Sequence, residues 1–151
     1  MVQLAPSTPC RGTEILLVDD NGNGLAARKS VLEELGYTIT AANSAQMALE
    51  ELERQSFDLV ITDYRMPRVN GLEFIRQLRE RVPNIPVILI SGFVDAMGLN
   101  ESNTGANVVI QKSANEVQHL IRSVNRLLKR KTPKKPVASQ TLPRKMNRKS
   151  V

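Results

Sequence analysis

The stretch Ile15–Gly24, ILLVDDNGNG, decides the fold. Four apolar residues read as a buried β-strand, and the Asn and Gly that follow are turn chemistry. Between them stand two adjacent aspartates, at a place where an unpaired carboxylate is costly unless a cation or hydrogen-bond donors meet it. Asp19, Asn21, Asn23 and Gly24 also match the opening of an EF-hand calcium loop. That loop needs a bidentate Glu at its twelfth position, which is Ser30 here, and it needs a preceding helix rather than an apolar β run. An acidic pocket at a strand end fits the residues better.

Outward from this stretch the chain repeats one pattern: a short apolar run, a polar loop, then a segment with helical periodicity. The runs are Ile15 to Val18, Tyr37 to Ala41, Leu59 to Thr62, Pro86 to Ile90 and Val108 to Gln111. Continuous β-branched and Leu runs suit strands buried on both faces, so the sheet is parallel and covered by helices. Ser44 caps a helix carrying Ala45, Ala48, Leu49 and Leu52, and Gly36 marks the stop of the first helix after Leu35. A last helix carries Val117, Leu120, Ile121, Val124, Leu127 and Leu128 on one stripe. The expected architecture is α/β: a (βα)5 doubly wound, five-stranded parallel sheet with right-handed crossovers.

The charge divides the chain. The 151 residues carry a net charge of +6, but nine of the 21 Lys and Arg lie in Lys129–Val151, where there is no acid. The remaining twelve basic residues (21 less 9) face all fifteen acidic ones, so residues 1–128 are net −3. The tail is rich in Lys, Pro and Ser and has little to build a core from, which points to disorder. The expected organisation is a polar leader over 1–12, one domain over 13–130 and a basic tail over 131–151. No apolar run approaches membrane-spanning length and the N-terminus has no signal-peptide pattern, so a cytoplasmic protein without membrane insertion is expected. The single cysteine, Cys10, excludes an internal disulfide.

Ligands of such sheets bind beyond the carboxyl ends of the strands. Asp19 and Asp20 end the first strand, Asp63 the third, Ser91 the fourth and Lys112 the fifth. Any one of these alone is an ordinary loop residue; together, at four of five strand ends, they make a site. Three gathered carboxylates repel unless a cation joins them, and an all-oxygen donor set with open positions favours Mg²⁺. Lys112 offers a mobile positive charge and Ser91 a hydroxyl donor for a phosphoryl group.

The order VDD, TDYRMPRVNG, ISG and IQKS resembles the receiver domains of bacterial two-component response regulators, across roughly Thr13 to Arg130. The resemblance implies the flavodoxin-like receiver fold, with Asp63 as the phosphoacceptor of a phosphorelay. Asp20, Asp63 and the backbone carbonyl of Arg65 would hold Mg²⁺, with Asp19 acting largely through a bound water, and Ser91 and Lys112 would contact the phosphoryl group. The implied partners are a sensor histidine kinase or phosphotransfer protein and an unknown downstream protein. The implied role is that of a phosphoacceptor assisting its own phosphorylation and dephosphorylation, and not a turnover enzyme. Met66 and Pro67 shape the turn after the acceptor, and Gly71 allows close backbone approach or starts the next helix.

The chain departs from the family at the switch positions. Ser113 follows the lysine where proline is usual, and Val109 stands where an aromatic ring often reports phosphorylation. The segment between Ser91 and Lys112 holds Gly98, Gly105 and several Asn, so its helix should be the weakest. The alternative function is a nucleic-acid-binding regulator acting through the basic tail, with the receiver as docking domain; the tail has no aromatics for stacking. An aspartyl-nucleophile hydrolase is disfavoured, because Arg65 stands where such an enzyme has its second acid. His119 lies off the helical stripe and reads as a solvated side chain. The GNG of the first loop is no dinucleotide fingerprint, because the third glycine is missing and the neighbouring aspartates repel a diphosphate.

Overall fold

The computed structural model describes residues 13–92 and 94–131. Five strands alternate with helices: β1 Glu14–Val18, α1 Gly22–Glu34, β2 Thr38–Ala42, α2 Ala45–Arg54, β3 Leu59–Asp63, α3 Gly71–Arg81, β4 Val87–Ser91, α4 Val94–Met97, α5 Glu101–Thr104, β5 Val108–Gln111 and α6 Glu116–Lys131. All neighbouring strands are parallel and the sheet order is β2-β1-β3-β4-β5. The expected α/β fold class is therefore observed, with each strand within a residue or so of its sequence reading. The leader 1–12 and the tail from 132 onward lie outside the described residues.

Strand alternation sorts the core into two layers. Leu16, Val18, Val60, Val87 and Leu89 face α2 and α3, where Ala45, Ala48, Phe74, Ile75 and Leu78 are buried. Ile15, Leu17, Leu59, Ile61, Ile88 and Ile90 face the other way, onto Leu32 of α1 and Leu120, Val124, Leu127 and Leu128 of α6. Burying such a Leu, Ile or Phe fully contributes roughly 1.5–3 kcal/mol, so the two layers dominate the stability. Caps fix where the helices begin: the side chains of Asn21, Ser44 and Asn70 accept from N–H groups of the first turns of α1, α2 and α3. α1 ends as expected, with Leu35 as its cap and Gly36 at φ 100°.

Two expectations need correction. The (βα)5 pattern anticipates one helix between β4 and β5; two single-turn helices, α4 and α5, stand there instead. Gly98 at φ 64° breaks the run, a reciprocal cap between Asn100 and Asn103 restarts it, and Gly105 at φ 81° stops it again. Val117 is the second correction: it is exposed rather than on the buried stripe of α6. The inward position of that first turn belongs to Glu116, four residues before Leu120 and eight before Val124 on the same face.

Candidate functional site

β1 and β3 are inner strands of the sheet; Asp63 is the last residue of β3, and Asp19 and Asp20 follow directly on β1. Asp19 is 1% exposed, Asp63 is 3% exposed and Asp20 is open to solvent. One carboxylate oxygen from each of the three lies within 4.8 Å of the others. They line an open cavity of about 510 Å³ whose other walls include Arg65, Met66, Pro67 and Lys112. A second, narrower opening adds Ser91 and Gly92 to Asp63, Arg65 and Lys112. The structure thus brings together every residue the sequence nominated for metal and phosphoryl contact.

The loop after Asp63 is shaped by backbone bonds. Tyr64 N–H donates to the Ile90 carbonyl (2.9 Å), and Arg65 N–H donates to Asp63 Oδ2 (3.2 Å). Gly71 opens α3 and gives its N–H to the Tyr64 carbonyl at 2.7 Å. A Cβ on Gly71 would lie 2.8 Å from both the Asp63 carbonyl oxygen and Tyr64 Cα, so close approach and helix start are both its role. Arg68, in the middle of this loop, has a positive φ of 70°, a conformation that costs a non-glycine residue about 1 kcal/mol or more.

Lys112 Nζ lies 2.8 Å from Asp63 Oδ1. Its backbone N–H donates to the Ser91 carbonyl (2.9 Å), which locks the ends of β4 and β5 side by side under the acid. Burial pushes the Asp63 carboxyl above its usual range, the contact with Lys112 opposes this, and the nearby Asp19 adds to it. Oδ1 is buried and has no hydrogen bond of ordinary geometry beyond that ion-pair contact. A buried carboxylate with an oxygen in this state, gathered with two further carboxylates, fits a hard cation such as Mg²⁺.

The switch positions are also placed. Val109 is half-buried and its N–H donates to Glu101 Oε2 (3.3 Å). Ser113 is exposed and starts the turn into α6: Asn115 N–H donates to its Oγ at 3.2 Å and Glu116 N–H to its carbonyl at 3.1 Å. His119 is exposed, as its place off the stripe implied.

Three residues that sequence reasoning missed act at this edge. Arg28 of α1 is 7% exposed and bridges two acids, its Nη1 2.5 Å from Asp19 Oδ2 and its Nε 2.7 Å from Glu116 Oε2. Burial alone would lower the pKa of Arg28, but Glu116 and Asp19 outweigh it and hold the guanidinium above its ordinary value. Gln111 Nε2 donates to the carbonyls of Gly92 (3.1 Å) and Lys112 (3.4 Å), joining the loops after β4 and β5. A sequence signal existed for Arg28 and Glu116: each charge stands on an otherwise apolar helical stripe, Leu25–Arg28–Leu32 and Glu116–Leu120–Val124.

Comparison with known proteins agrees with this geometry. Residues 15–125 match the response regulator receiver domain family. The chain is 34% identical over 80 residues to the transcriptional regulatory protein ZraR of Escherichia coli, and 35% identical over 85 residues to the response regulator protein TodT of Pseudomonas putida. Those alignments take in 53% and 56% of this chain but only 18% and 37% of the relatives' own lengths. Among solved structures, TrrA of Thermotoga maritima in complex with Mg²⁺–BeF superposes with a TM-score of 0.69 at 31% identity, covering 76% of this chain and 98% of that one. The receiver domain of a histidine kinase from Syntrophus aciditrophicus superposes with a TM-score of 0.72 at 30% identity, covering 83% and 96%. Among the described residues, no helix is long and apolar enough to cross a membrane. With its motifs, sheet order and acid cluster in agreement, the chain belongs to the response regulator receiver domain family.

Proposed function

We propose that this domain is a Mg²⁺-dependent phosphoacceptor in which Asp63 takes a phosphoryl group from the phosphohistidine of a sensor histidine kinase or phosphotransfer protein. The observation that carries this reading is the buried Asp63 carboxylate, set between two further acids and the Lys112 ammonium at 2.8 Å. In the transfer, an Asp63 carboxylate oxygen forms the new P–O bond while the P–N bond to the donor imidazole breaks, and the imidazole nitrogen keeps the electron pair. Such transfers need positioning and neutralisation of the equatorial oxygens. Lys112 and the Ser91 hydroxyl supply donors for those oxygens. Asp20, Asp63 and the Arg65 carbonyl would hold Mg²⁺, which supplies neutralising charge when bound; Asp19 stands behind them. The donor is another protein, so the domain assists its own modification and release without turning over a substrate.

The same reading assigns residues 13–130 to the receiver, with leader and tail outside it, in a cytoplasmic protein that regulates a separate partner. Among the described residues Leu127 and Leu128 are the last buried on the stripe, so truncation after Lys131 should leave the melting temperature nearly unchanged. If the full chain binds DNA with a steep salt dependence that the truncated form lacks, the tail carries an additional nucleic-acid contact. The test of the main reading is intact mass after incubation with a small phosphodonor and Mg²⁺. Wild type should gain one phosphoryl group and Asp63→Asn none; equal gain in both removes the assignment.

A further inference from the structure

We propose that Arg28 is a positioning residue that shares Asp19 between the cation pocket and α6, so that Mg²⁺ uptake and the anchoring of the α6 N-terminus through Glu116 are thermodynamically coupled. This rests on the metal reading above.

The bridge is built into the fold. α1 buries the stripe Leu25, Arg28 and Leu32 against the sheet, and a charge on such a stripe is sustained only if it is paired. Arg28 has two partners from opposite ends of the domain's sequence: Asp19 at the end of β1 and Glu116 in the first turn of α6. Gly24, one turn earlier on α1, leaves room for it; a Cβ there would lie 3.1 Å from Asp19 Oδ2 and 3.8 Å from Arg28 Nη1. Asp19 in turn has both oxygens engaged, Oδ2 by Arg28 and Oδ1 by the Asn21 N–H at 2.9 Å.

Two consequences follow from that arrangement. Arg28 sets a resident positive charge on Asp19, one of the three acids that gather beside Lys112, so it offsets part of their repulsion and competes with an incoming cation for Asp19. Its fork also divides between two carboxylates, so whatever draws Asp19 toward a cation alters the hold on Glu116. A coupling of this kind is reciprocal: if the cation loosens Glu116, releasing Glu116 must change the affinity for the cation.

The test is a double-mutant cycle on the full chain, with Mg²⁺ affinity measured by titration and amide NMR shifts read at Val117 to Leu120. Arg28→Gln should tighten Mg²⁺ binding by about tenfold, because the charge that competes for Asp19 is gone. Glu116→Gln should weaken it by about threefold, because Arg28 then turns wholly to Asp19. In the Arg28→Gln background most of that second effect should vanish, and the Mg²⁺-induced shifts expected at Val117 to Leu120 in wild type should disappear. A merely structural bridge would lower stability without giving opposite signs. Should Arg28→Gln fail to fold, Arg28→Lys carries the cycle: it keeps the charge but lacks the fork, so wild-type-like affinity without sensitivity to Glu116→Gln is expected. Strictly additive effects, or an unchanged affinity in both single variants, would overturn the coupling alone. Absence of any saturable Mg²⁺ binding by wild type would overturn the metal reading and the coupling with it.

Discussion

Lys112 reaches Asp63 across the ends of two strands, with Nζ 2.8 Å from Oδ1, while its own backbone N–H is bonded to the Ser91 carbonyl. One residue therefore serves twice, as the counter-charge of the buried Asp63 carboxylate and as the link between the loops after β4 and β5. Lys112→Ala should slow phosphorylation by a small phosphodonor about 10²-fold, the usual effect of removing one donor aimed at developing oxygen charge. A single-turnover mass time course checks this, and a rate within a factor of three of wild type would remove Lys112 from the chemistry.

Asp63 carries a cost when it is charged in the folded, metal-free domain. Burial raises its pKa above the ordinary carboxyl value, so the folded state binds the proton more tightly than the unfolded state. The penalty is full above the raised pKa and is relieved as pH falls through it toward the ordinary value. Asp63→Asn should accordingly raise the melting temperature at neutral pH without metal, and the gain should vanish in acid. Melting curves across pH read this directly; a variant that is less stable at neutral pH would contradict it.

Gly71→Ala should destabilise the domain by about 1–3 kcal/mol, because the added methyl meets backbone at 2.8 Å rather than a movable side chain. The same push falls on the Asp63 carbonyl, so the phosphorylation rate should drop as well. Denaturant unfolding of the variant checks the first half. A change under 0.5 kcal/mol, about the size of an ordinary surface substitution, would mean that the loop relaxes freely.

Val109 has no ring to swing, and the contacts that can differ between the two states lie at Ser91, Lys112 and their loops. Beryllofluoride with Mg²⁺ should therefore shift backbone resonances of Asp63, Ser91, Gly92 and Lys112 to Asn115, continue through Glu116 into the first turn of α6, and fade by Leu120. Large shifts along the whole of α6 would contradict a local response.

The sequence made the sheet legible because each strand is a continuous apolar run, which has one stable home in a parallel sheet. The site was legible because Asp19, Asp20, Asp63, Ser91 and Lys112 each stand at the end of such a run. Interactions between distant segments were not. Arg28 and Glu116 look like ordinary helix-surface charges until their stripes are aligned, and nothing local says that α1 and α6 cover the same face near Asp19. Arg79 is the same case at the opposite edge: it donates to the carbonyls of Pro83 (3.0 Å), Ile85 (2.5 Å) and Gly105 (2.9 Å), holding the loop that replaces a full fourth helix. The break of that helix into α4 and α5 depends on glycine φ values and a side-chain cap, which composition signals only as weakness.

Phosphoacceptance by Asp63 is tested by locating the modified residue. After reaction with a small phosphodonor and Mg²⁺, borohydride reduces an aspartyl phosphate to homoserine, and peptide mass spectrometry places that change on the chain. Homoserine should appear at position 63, with Asp19 and Asp20 intact. Reduction at either of those residues, or an acid-labile phosphoryl group on His119 with Asp63 untouched, would contradict it.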